Sequence, residues 1–250
     1  MPVNADFHSV YEHTWNINFT MCAPNGHLDY VSLCNLLQLT AAEHSISGGL
    51  SFTDMQHFDQ AWVLSRMRIE IDALPRWQDQ VVVRTWIESL QGANSVRNME
   101  VFLNGKKIVG AATLWAVLNT KMRKAEPLAL PHDHFEKFPN RHATRQPVGR
   151  LSFLRETSTA AARRVMLSDL DIVNHANNVK YLEWCLDALD PEQVLAMKLE
   201  TLEMNFLREL NLGDSVQINV APGETPSFFS IGKDGKVCFA LEMTWKQGVR

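Results

Sequence analysis

The sequence between residues 168 and 181 reads Ser168-Asp169-Leu170-Asp171-Ile172-Val173-Asn174-His175-Ala176-Asn177-Asn178-Val179-Lys180-Tyr181. Acids, amides and a histidine are crowded into this stretch. Apolar residues recur at a helical spacing from Val179 to Leu189, and residues 160–167 read as a strand. Asn177 or Asn178 is a natural N-cap, because an Asn side-chain oxygen accepts bonds from the first backbone N–H groups of a helix. The pattern predicts a strand, a polar loop and a helix in that order.

A polar loop at the start of a helix can support ester or thioester hydrolysis. The free N–H groups and the helix dipole stabilise a carbonyl oxygen that gains negative charge. Asp171 is a candidate to orient or activate water, and His175 to hold the carbonyl or move a proton, since histidines exchange protons near neutral pH. Asp169 is expected to brace the loop by binding backbone N–H groups. A purely structural role for Asp171 and His175 stays open.

The chain is predicted to contain two similar parts. Residues 127–150 are rich in proline, which neither helices nor central strands accept well, and we expect a linker there. This division predicts a first domain at 1–126 and a second at 151–250. The first is expected to have a strand at 14–21, a helix at 30–44 and strands at 61–72, 80–89, 95–103 and 106–119. The second is expected to have a strand at 160–167, a helix at 179–189 and strands at 198–208, 215–221, 227–231 and 237–245.

The order of these elements predicts the fold class. One strand, one long helix and four further strands favour an antiparallel sheet wrapped around a central helix, in which the apolar stripe of the helix is buried. This α+β arrangement is the hot dog fold, and its recurrence predicts a tandem, or double, hot dog. Pairing of two such units would also cover exposed strand edges.

The loop resembles the acyl-acyl carrier protein thioesterases of plants and bacteria. Their second half carries the signature Asp-x-Asp-x-Asn-x-His-Val-Asn-Asn-x-x-Tyr. The residues in register with it here are Asp169, Asp171, His175, Asn177, Asn178 and Tyr181, and Glu209 matches a further acid of the family. The resemblance spans nearly the whole chain. It implies a tandem hot dog whose first domain holds the acyl-chain pocket and whose second domain holds the catalytic loop.

The resemblance also implies roles for individual residues. Asp171, His175, Glu209 and Asn174 are the expected catalytic residues, with Asp169, Asn177 and Asn178 binding substrate or oxyanion or bracing the loop. Glu209 could instead face solvent at the end of a strand. Val173 stands where the family usually has Asn, so Asn174 would have to reach in by a changed loop path; otherwise we expect lower turnover. Cys185, on the apolar stripe of the second helix, is expected to be a core residue.

Composition narrows the function classes. The chain has 250 residues, 46% hydrophobic and 21% charged, with a formal net charge of −4. These values are typical of a soluble globular protein without the basic field that attracts nucleic acid or anionic membranes. The four cysteines are far apart and show no zinc-type spacing, so we expect reduced thiols, no metal and no cofactor. Without a secretion or plastid transit pattern near residue 1, the expected location is the cytoplasm.

The expected substrate is a fatty acyl chain on acyl carrier protein. Because that carrier is acidic, a local basic patch is expected to bind it. The candidates are Lys121, Arg123, Lys124, Arg141, Arg145, Arg150, Arg163 and Arg164. Two alternatives remain: an acyl-coenzyme A thioesterase with the same loop, and a non-catalytic acyl-binding protein, which is considered because Val173 replaces the family Asn. A hydratase is disfavoured by the loop pattern, and a homodimer stays open.

Overall fold

The computed structural model describes residues 3–153, 155–196, 198–223 and 227–246. The outer ends of the predicted domains, residues 1 and 250, lie outside these ranges. The chain divides into two compact units. The first contains residues up to 65 and 72–148, and the second contains residues 66–71 and those from 149 onward. No helix among the described residues is long and apolar enough to cross a membrane.

The first unit is an antiparallel sheet with one long helix. Its strands and helices are β1 (Val10–Asn16), α1 (Tyr30–Ser47), α2 (Phe52–Gln56), β2 (Gln60–Ile71, shared with the second unit), β3 (Gln80–Gln91), β4 (Asn94–Leu103), β5 (Lys106–Asn119) and β6 (Lys124–Ala125). The pairing order β1-β3-β4-β5 is antiparallel throughout, and β6 pairs with β5. The helix α1 packs against β3 and β1.

The sequence explains why α1 is the central element of this unit. The Asp29 side chain accepts a hydrogen bond from Ser32 N–H at 2.6 Å, which caps the first turn. The residues Leu33, Leu36 and Leu37 are fully buried. Each contributes about 2 kcal/mol by removing its side chain from water. The prediction of this helix is confirmed, and it extends one turn further than expected, to Ser47.

The segment suggested as a linker packs into the first unit. Phe135 is fully buried in a cluster with Leu50 and Met55. Ala143 N–H donates to Asn98 Oδ1 at 2.8 Å. The prolines therefore mark an irregular chain path that still covers the core, and the boundary between the units lies at residues 148 and 149.

The second unit repeats the arrangement. Its elements are β7 (Ser158–Arg164), α3 (Asn178–Asp187), α4 (Pro191–Ala196), β8 (Leu199–Phe206), β9 (Ser215–Val220), β10 (Phe228–Lys233) and β11 (Lys236–Trp245). Residues 66–70 of β2 pair with β8, and the order continues β8-β11-β10-β9-β7, antiparallel at every pair. Tyr181 of α3 contacts the rings of Phe206 and Phe239, which seats the helix on β8 and β11.

The first strand of each unit ends earlier than its apolar pattern indicates. A short 3-10 turn follows it, at Phe19–Met21 in the first unit and Leu167–Asp169 in the second. In the first unit the Asn18 side chain accepts a bond from Thr20 N–H at 3.0 Å, which turns the chain away from the sheet. The predicted strands at 14–21 and 160–167 were therefore wrong at their ends.

Candidate active site

The loop ahead of α3 is closed by backbone hydrogen bonds. Leu170 and Ala176 form an isolated β-bridge. Between them, Asp171 N–H donates to His175 O at 2.9 Å and Asn174 N–H donates to Asp171 O at 3.2 Å. Asn174 has φ 63°, a left-handed conformation that Asn tolerates better than most residues. The exposed Asn174 is thus the turn residue that brings His175 back toward the helix.

The Asp171 carboxylate holds this turn together. Its Oδ1 accepts hydrogen bonds from Val173 N–H at 2.9 Å and from His175 N–H at 3.3 Å. Asp171 is half-buried, whereas Val173 is exposed and its side chain cannot form a hydrogen bond. The aspartate therefore orders the backbone on both sides of Asn174.

Asp169 braces the loop through its buried carboxylate and its backbone carbonyl. It is almost fully buried, and its Oδ2 accepts a hydrogen bond from Met166 N–H at 2.7 Å. The Arg163 guanidinium lies 3.7 Å from its Oδ1 and offsets the buried charge. Asp169 O also accepts Asn177 N–H at 2.8 Å, which joins the 3-10 turn to the start of the helix.

The helix α3 begins at the amide pair. Asn177 is the N-cap, and its Oδ1 accepts Val179 N–H at 3.2 Å. Asn178 is the first helical residue. The positive end of the helix dipole therefore lies next to the loop that holds Asp171 and His175.

Glu209 reaches the loop from the chain segment after β8. Ala176 N–H donates to Leu210 O at 2.8 Å, and His175 forms an isolated bridge with Asn211. These contacts bring Glu209 Oε2 to 3.5 Å from His175 Nε2, and both side chains are 30% exposed. The sequence left open whether Glu209 faces solvent or the loop, and in the structure it faces the loop.

Two supporting residues were not given roles from the sequence. The hydroxyl of Tyr181 donates to Arg208 O at 3.4 Å, and burial raises the pKa of this tyrosine. Asp214 Oδ2 accepts Asn211 N–H at 2.8 Å, and its Oδ1 lies 2.6 Å from Lys233 Nζ. Burial acts to raise the pKa of Asp214, but these partners outweigh it and lower the pKa. The turn sequence Asn-Leu-Gly-Asp was the available signal.

The first unit contains a copy of the same loop. Ala23 N–H donates to His27 O at 2.9 Å, and Gly26 N–H donates to Ala23 O at 2.8 Å. Cys22 and Leu28 form the closing bridge. Gly26 has φ 78° and occupies the place of Asn174. The hydrogen bonds correspond one to one, so Ala23 is equivalent to Asp171 and His27 to His175.

The second segment of the site is repeated as well. His27 bridges to Arg76, as His175 does to Asn211. Asp72 and Ala73 N–H groups both donate to Ile108 O, at 2.8 and 3.2 Å. The N–H groups of residues 207 and 208 donate in the same way to the carbonyl of residue 238, at 2.8 and 3.1 Å. By this register, Leu74 occupies the position of Glu209.

The two loops therefore share a backbone but differ in chemistry. The histidine is present in both, whereas Ala23 and Leu74 replace the two acids. In the first unit the ring Nε2 of His27 instead accepts a hydrogen bond from Arg76 Nε at 3.2 Å. The first-unit loop forms the same backbone without a carboxylate at the position of Glu209, so Glu209 in the second unit points to chemistry, whereas Asp171 also orders its own loop.

The second-unit helix offers no activated thiol. Cys185 is fully buried on α3, and burial raises its pKa, which keeps the thiol protonated. Leu210, also fully buried, follows Glu209 directly. Among the described residues, no three or more His, Cys, Asp or Glu side chains are grouped so that they could hold a metal ion.

Several basic residues proposed for the carrier patch already have partners. Lys121 Nζ lies 2.9 Å from an Asp59 carboxylate oxygen, and Arg141 stacks on the Trp86 ring at 3.9 Å. Arg163 lies over the Trp184 ring at 4.8 Å and next to Asp169. Arg123 and Arg145 also have partners. The exposed Arg164 stands beside the site and donates from Nε to Gly213 O at 3.2 Å.

Comparison with known families accounts for both units. Residues 8–135 match the family described as "Acyl-ACP thioesterase N-terminal domain", and residues 154–248 match "Acyl-ACP thioesterase C-terminal domain". The chain belongs to the acyl-acyl carrier protein thioesterase family. The family suggested by the loop signature is thereby confirmed, and the matched ranges cover most of the chain.

Solved structures of family members have the same fold. An acyl-acyl carrier protein thioesterase of Bacteroides thetaiotaomicron aligns with a TM-score of 0.84 at 24% identity, covering 95% of this chain and 98% of that one. The 12:0-acyl carrier protein thioesterase of Umbellularia californica aligns with a TM-score of 0.82 at 19% identity, covering 96% and 98%. The prediction of a tandem hot dog is confirmed.

Curated plant relatives are longer than the matched region. An oleoyl-acyl carrier protein thioesterase of Coriandrum sativum is 28% identical over 239 residues, which cover 84% of this chain and 63% of the relative. An acyl-acyl carrier protein hydrolase of Cuphea viscosissima is 28% identical over 195 residues, covering 71% and 47%. The match thus spans between about half and two thirds of these relatives' length.

Proposed function

We propose that this chain is a thioesterase that hydrolyses fatty acyl thioesters of acyl carrier protein, releasing free fatty acid and holo-acyl carrier protein. The observation that supports this most is the 3.5 Å approach of Glu209 to His175 beside the start of α3. The first-unit loop, with Leu74 and Ala23, keeps the backbone without the acids. Family membership supports the same reaction.

The proposed reaction is attack of water on the thioester carbonyl carbon. Glu209 accepts a proton from the water as its oxygen forms the new bond to carbon. The carbonyl oxygen becomes negatively charged, and backbone N–H groups at the start of α3 stabilise it, a contribution of about 10²–10³ in rate. When the carbon–sulfur bond breaks, the proton passes through His175 to the leaving sulfur. The products are a fatty acid and a thiol.

The other loop residues position these groups in the proposal. Asp171 orders the backbone around His175 through Oδ1 and helps to orient the water. Asn174 supplies the left-handed turn and stays a catalytic candidate through its exposed amide. Asp169, Asn177 and Asn178 hold the 3-10 turn against the helix start. No cofactor or metal takes part in this scheme.

The substrate and its setting are part of the proposal. Acyl carrier protein is preferred over coenzyme A because of the family match. We assign the acyl chain to the first domain of the predicted pair, with the catalytic loop in the second. A cytoplasmic location also remains a prediction, which cell fractionation tests.

The proposal is tested by release of free fatty acid from a panel of acyl carrier protein thioesters, short to long. The matching coenzyme A thioesters are assayed in parallel. Faster turnover of carrier-bound substrates is the expected result, and it would reveal the preferred chain length. Faster turnover of coenzyme A substrates would point to an acyl-coenzyme A thioesterase. Tight carrier binding without turnover, unrestored by Val173→Asn, would point to an acyl-binding protein.

A further inference from the structure

Large apolar side chains lie exposed on the two segments that carry the candidate catalytic residues. Their exposed fractions range from 36% to 86%. We call them the apolar rim, and they are Met166, Leu167, Ile172, Val173, Leu207 and Leu212. The first four belong to the 3-10 turn and the loop that contain Asp169, Asp171 and His175. The last two flank Glu209 in sequence.

The copy of the loop in the first unit shows which rim residues the fold itself requires. Two positions are apolar and exposed in both units, where Phe19 and Trp77 correspond to Leu167 and Leu212. The other four are polar or proline in the first unit. The pairs are Met166 and Asn18, Ile172 and Pro24, Val173 and Asn25, and Leu207 and Asp72.

The difference between the copies links the rim to the site. The backbone hydrogen bonds are the same in both loops, so the loop forms with polar residues at these four positions. The apolar residues occur in the copy that also has Asp171 and Glu209. Exposed apolar clusters rimmed by polar groups usually mark interaction sites, because leaving them in water is unfavourable. The rim is therefore expected to be covered when the site is in use.

The charge beside the rim indicates what covers it. Arg208 lies between Leu207 and Glu209 and is exposed, and Ala73 takes its place in the first unit. Arg164 is exposed, and its Nε–H bond to Gly213 O holds it beside the turn that follows Leu212. Two cations around an apolar surface suit an acidic protein face. Recruitment to anionic lipid usually needs clusters of about four to eight basic residues.

We propose that the apolar rim, with Arg164 and Arg208, is the docking surface for the acidic carrier protein that delivers the thioester. The inference rests on the proposed function, since the carrier is its substrate. The rim places the apolar contacts of the carrier around His175 and Glu209, and the arginines attract its acidic residues. The chain's net charge of −4 opposes an acidic partner at long range, so local attraction is needed.

The test is direct binding of a carrier protein whose acyl chain is attached through an amide, which the enzyme cannot cleave. The double variant Ile172→Ser with Leu207→Asp removes two rim residues and gives position 207 its first-unit counterpart. The matched control is Phe19→Ser with Trp77→Ser in the first unit. We expect the dissociation constant to rise at least about tenfold for the rim variant, since buried apolar anchors dominate interface energies. The control should stay within roughly twofold of the parent.

The same proteins are then assayed with a carrier-bound thioester and with a small pantetheine thioester of the same acyl chain. Carrier docking predicts that the ratio of the two kcat/KM values, carrier over small, falls about tenfold in the rim variant. Equal losses on both substrates, or unchanged binding to the amide-linked carrier, would overturn the docking proposal. So would vesicle binding that the rim variant loses while carrier binding stays unchanged.

Failure of the docking proposal is separable from failure of the proposed function. A parent that hydrolyses the small thioester keeps the thioesterase assignment even if the rim variant binds the carrier normally. A parent that hydrolyses neither thioester overturns the thioesterase assignment. In that case the amide-linked carrier still decides docking, because binding does not depend on hydrolysis.

Discussion

Glu209 Oε2 lies 3.5 Å from His175 Nε2 in the second unit, whereas the equivalent position in the first unit is Leu74. The surrounding backbone is hydrogen-bonded in the same way in both units. This chain therefore carries an internal control for its own site: one loop with the acids and one without. Each residue proposed to act in chemistry can be compared with a structural twin in the same molecule.

Replacing the histidine of each loop should have different effects on kcat. His175→Ala removes the group proposed to pass the proton to the leaving sulfur, and kcat for thioester hydrolysis should fall by about 10² or more. His27→Ala removes the twin histidine and should change kcat by less than about twofold. Steady-state rates with one acyl carrier protein thioester measure both. Equal losses would mean that both histidines act structurally.

Restoring the amide at position 173 should raise turnover. In the first unit, Asn25 Oδ1 accepts His27 N–H at 3.0 Å, a bond that Val173 cannot make to His175. In the Val173→Asn variant, the new amide oxygen should accept the hydrogen bond from His175 N–H. Asp171 Oδ1 would then be free to bind water. One such hydrogen bond is worth about 1 kcal/mol, or about fivefold in kcat.

The matched control for this change is Asn25→Val in the first unit, which deletes the corresponding bond. It should leave kcat within about twofold of the parent value. Rates measured at saturating substrate decide the question. A Val173→Asn chain that is no faster than the parent would contradict the role assigned to the missing amide.

A buried histidine in the first unit should make the fold less stable at acidic pH. His44 is fully buried, its Nδ1 accepts Arg97 Nη1–H at 2.8 Å, and its Nε2–H donates to His8 O at 3.0 Å. Burial and the Arg97 charge lower the pKa of His44 to about 3. The unfolded chain then binds one proton more than the folded chain between pH 6.5 and about 3. Stability therefore falls as the pH drops through this window and does not change above it through this group.

The size of the effect follows from the two pKa values of His44. Lowering the pH from 7 to 5 should cost about 2 kcal/mol through this residue alone. Urea unfolding at several pH values measures it. His44→Gln should flatten the curve between pH 5 and 7. A His44→Gln curve as steep as the parent's would contradict the assignment.

The packing of the segment before residue 148 makes a separate stability prediction. A Cβ atom at Gly110 would lie 2.0 Å from Ala143 O, a backbone atom that cannot move alone. Gly110→Ala should lower the free energy of unfolding by about 2–3 kcal/mol. Gly232→Ala, where the nearest atom is 3.6 Å away, is the matched control and should cost less than about 1 kcal/mol. Thermal melts of both variants give the comparison, and similar melting temperatures would argue against close packing of this segment.

The sequence predicted the repeating elements well because their signals are local. The leucine spacing of α1 and the N-cap at Asn177 both follow from short-range rules, and the structure has them where expected. The ends of the first strands were wrong because the 3-10 turns depend on side chains such as Asn18 that bind backbone groups. The apolar spacing of a sequence carries no information about side chains that compete in this way for backbone hydrogen bonds.

The contacts of Glu209 could not be predicted from spacing. Its approach to His175 depends on the bridge between His175 and Asn211 and on the Ala176 bond to Leu210, which join segments far apart in sequence. The packing of Phe135 could not be predicted either, since prolines indicate an irregular backbone but not which part of the core it covers. In the sequence, only His27 and Asp29 ahead of the first helix indicated the duplicated loop. The matching backbone hydrogen bonds of the two units then show which residue of one loop corresponds to which residue of the other.

The role of Glu209 in activating water is best tested by the rate at which the Glu209→Gln variant releases free fatty acid from an acyl carrier protein thioester. Glutamine keeps the size and polarity of the side chain but cannot accept the proton of the attacking water. We expect kcat to fall by about 10² or more with an unchanged melting temperature, whereas Leu74→Gln at the twin position should keep kcat within about threefold of the parent value. A Glu209→Gln variant that releases fatty acid at the parent rate would contradict the claim that this carboxylate activates the water.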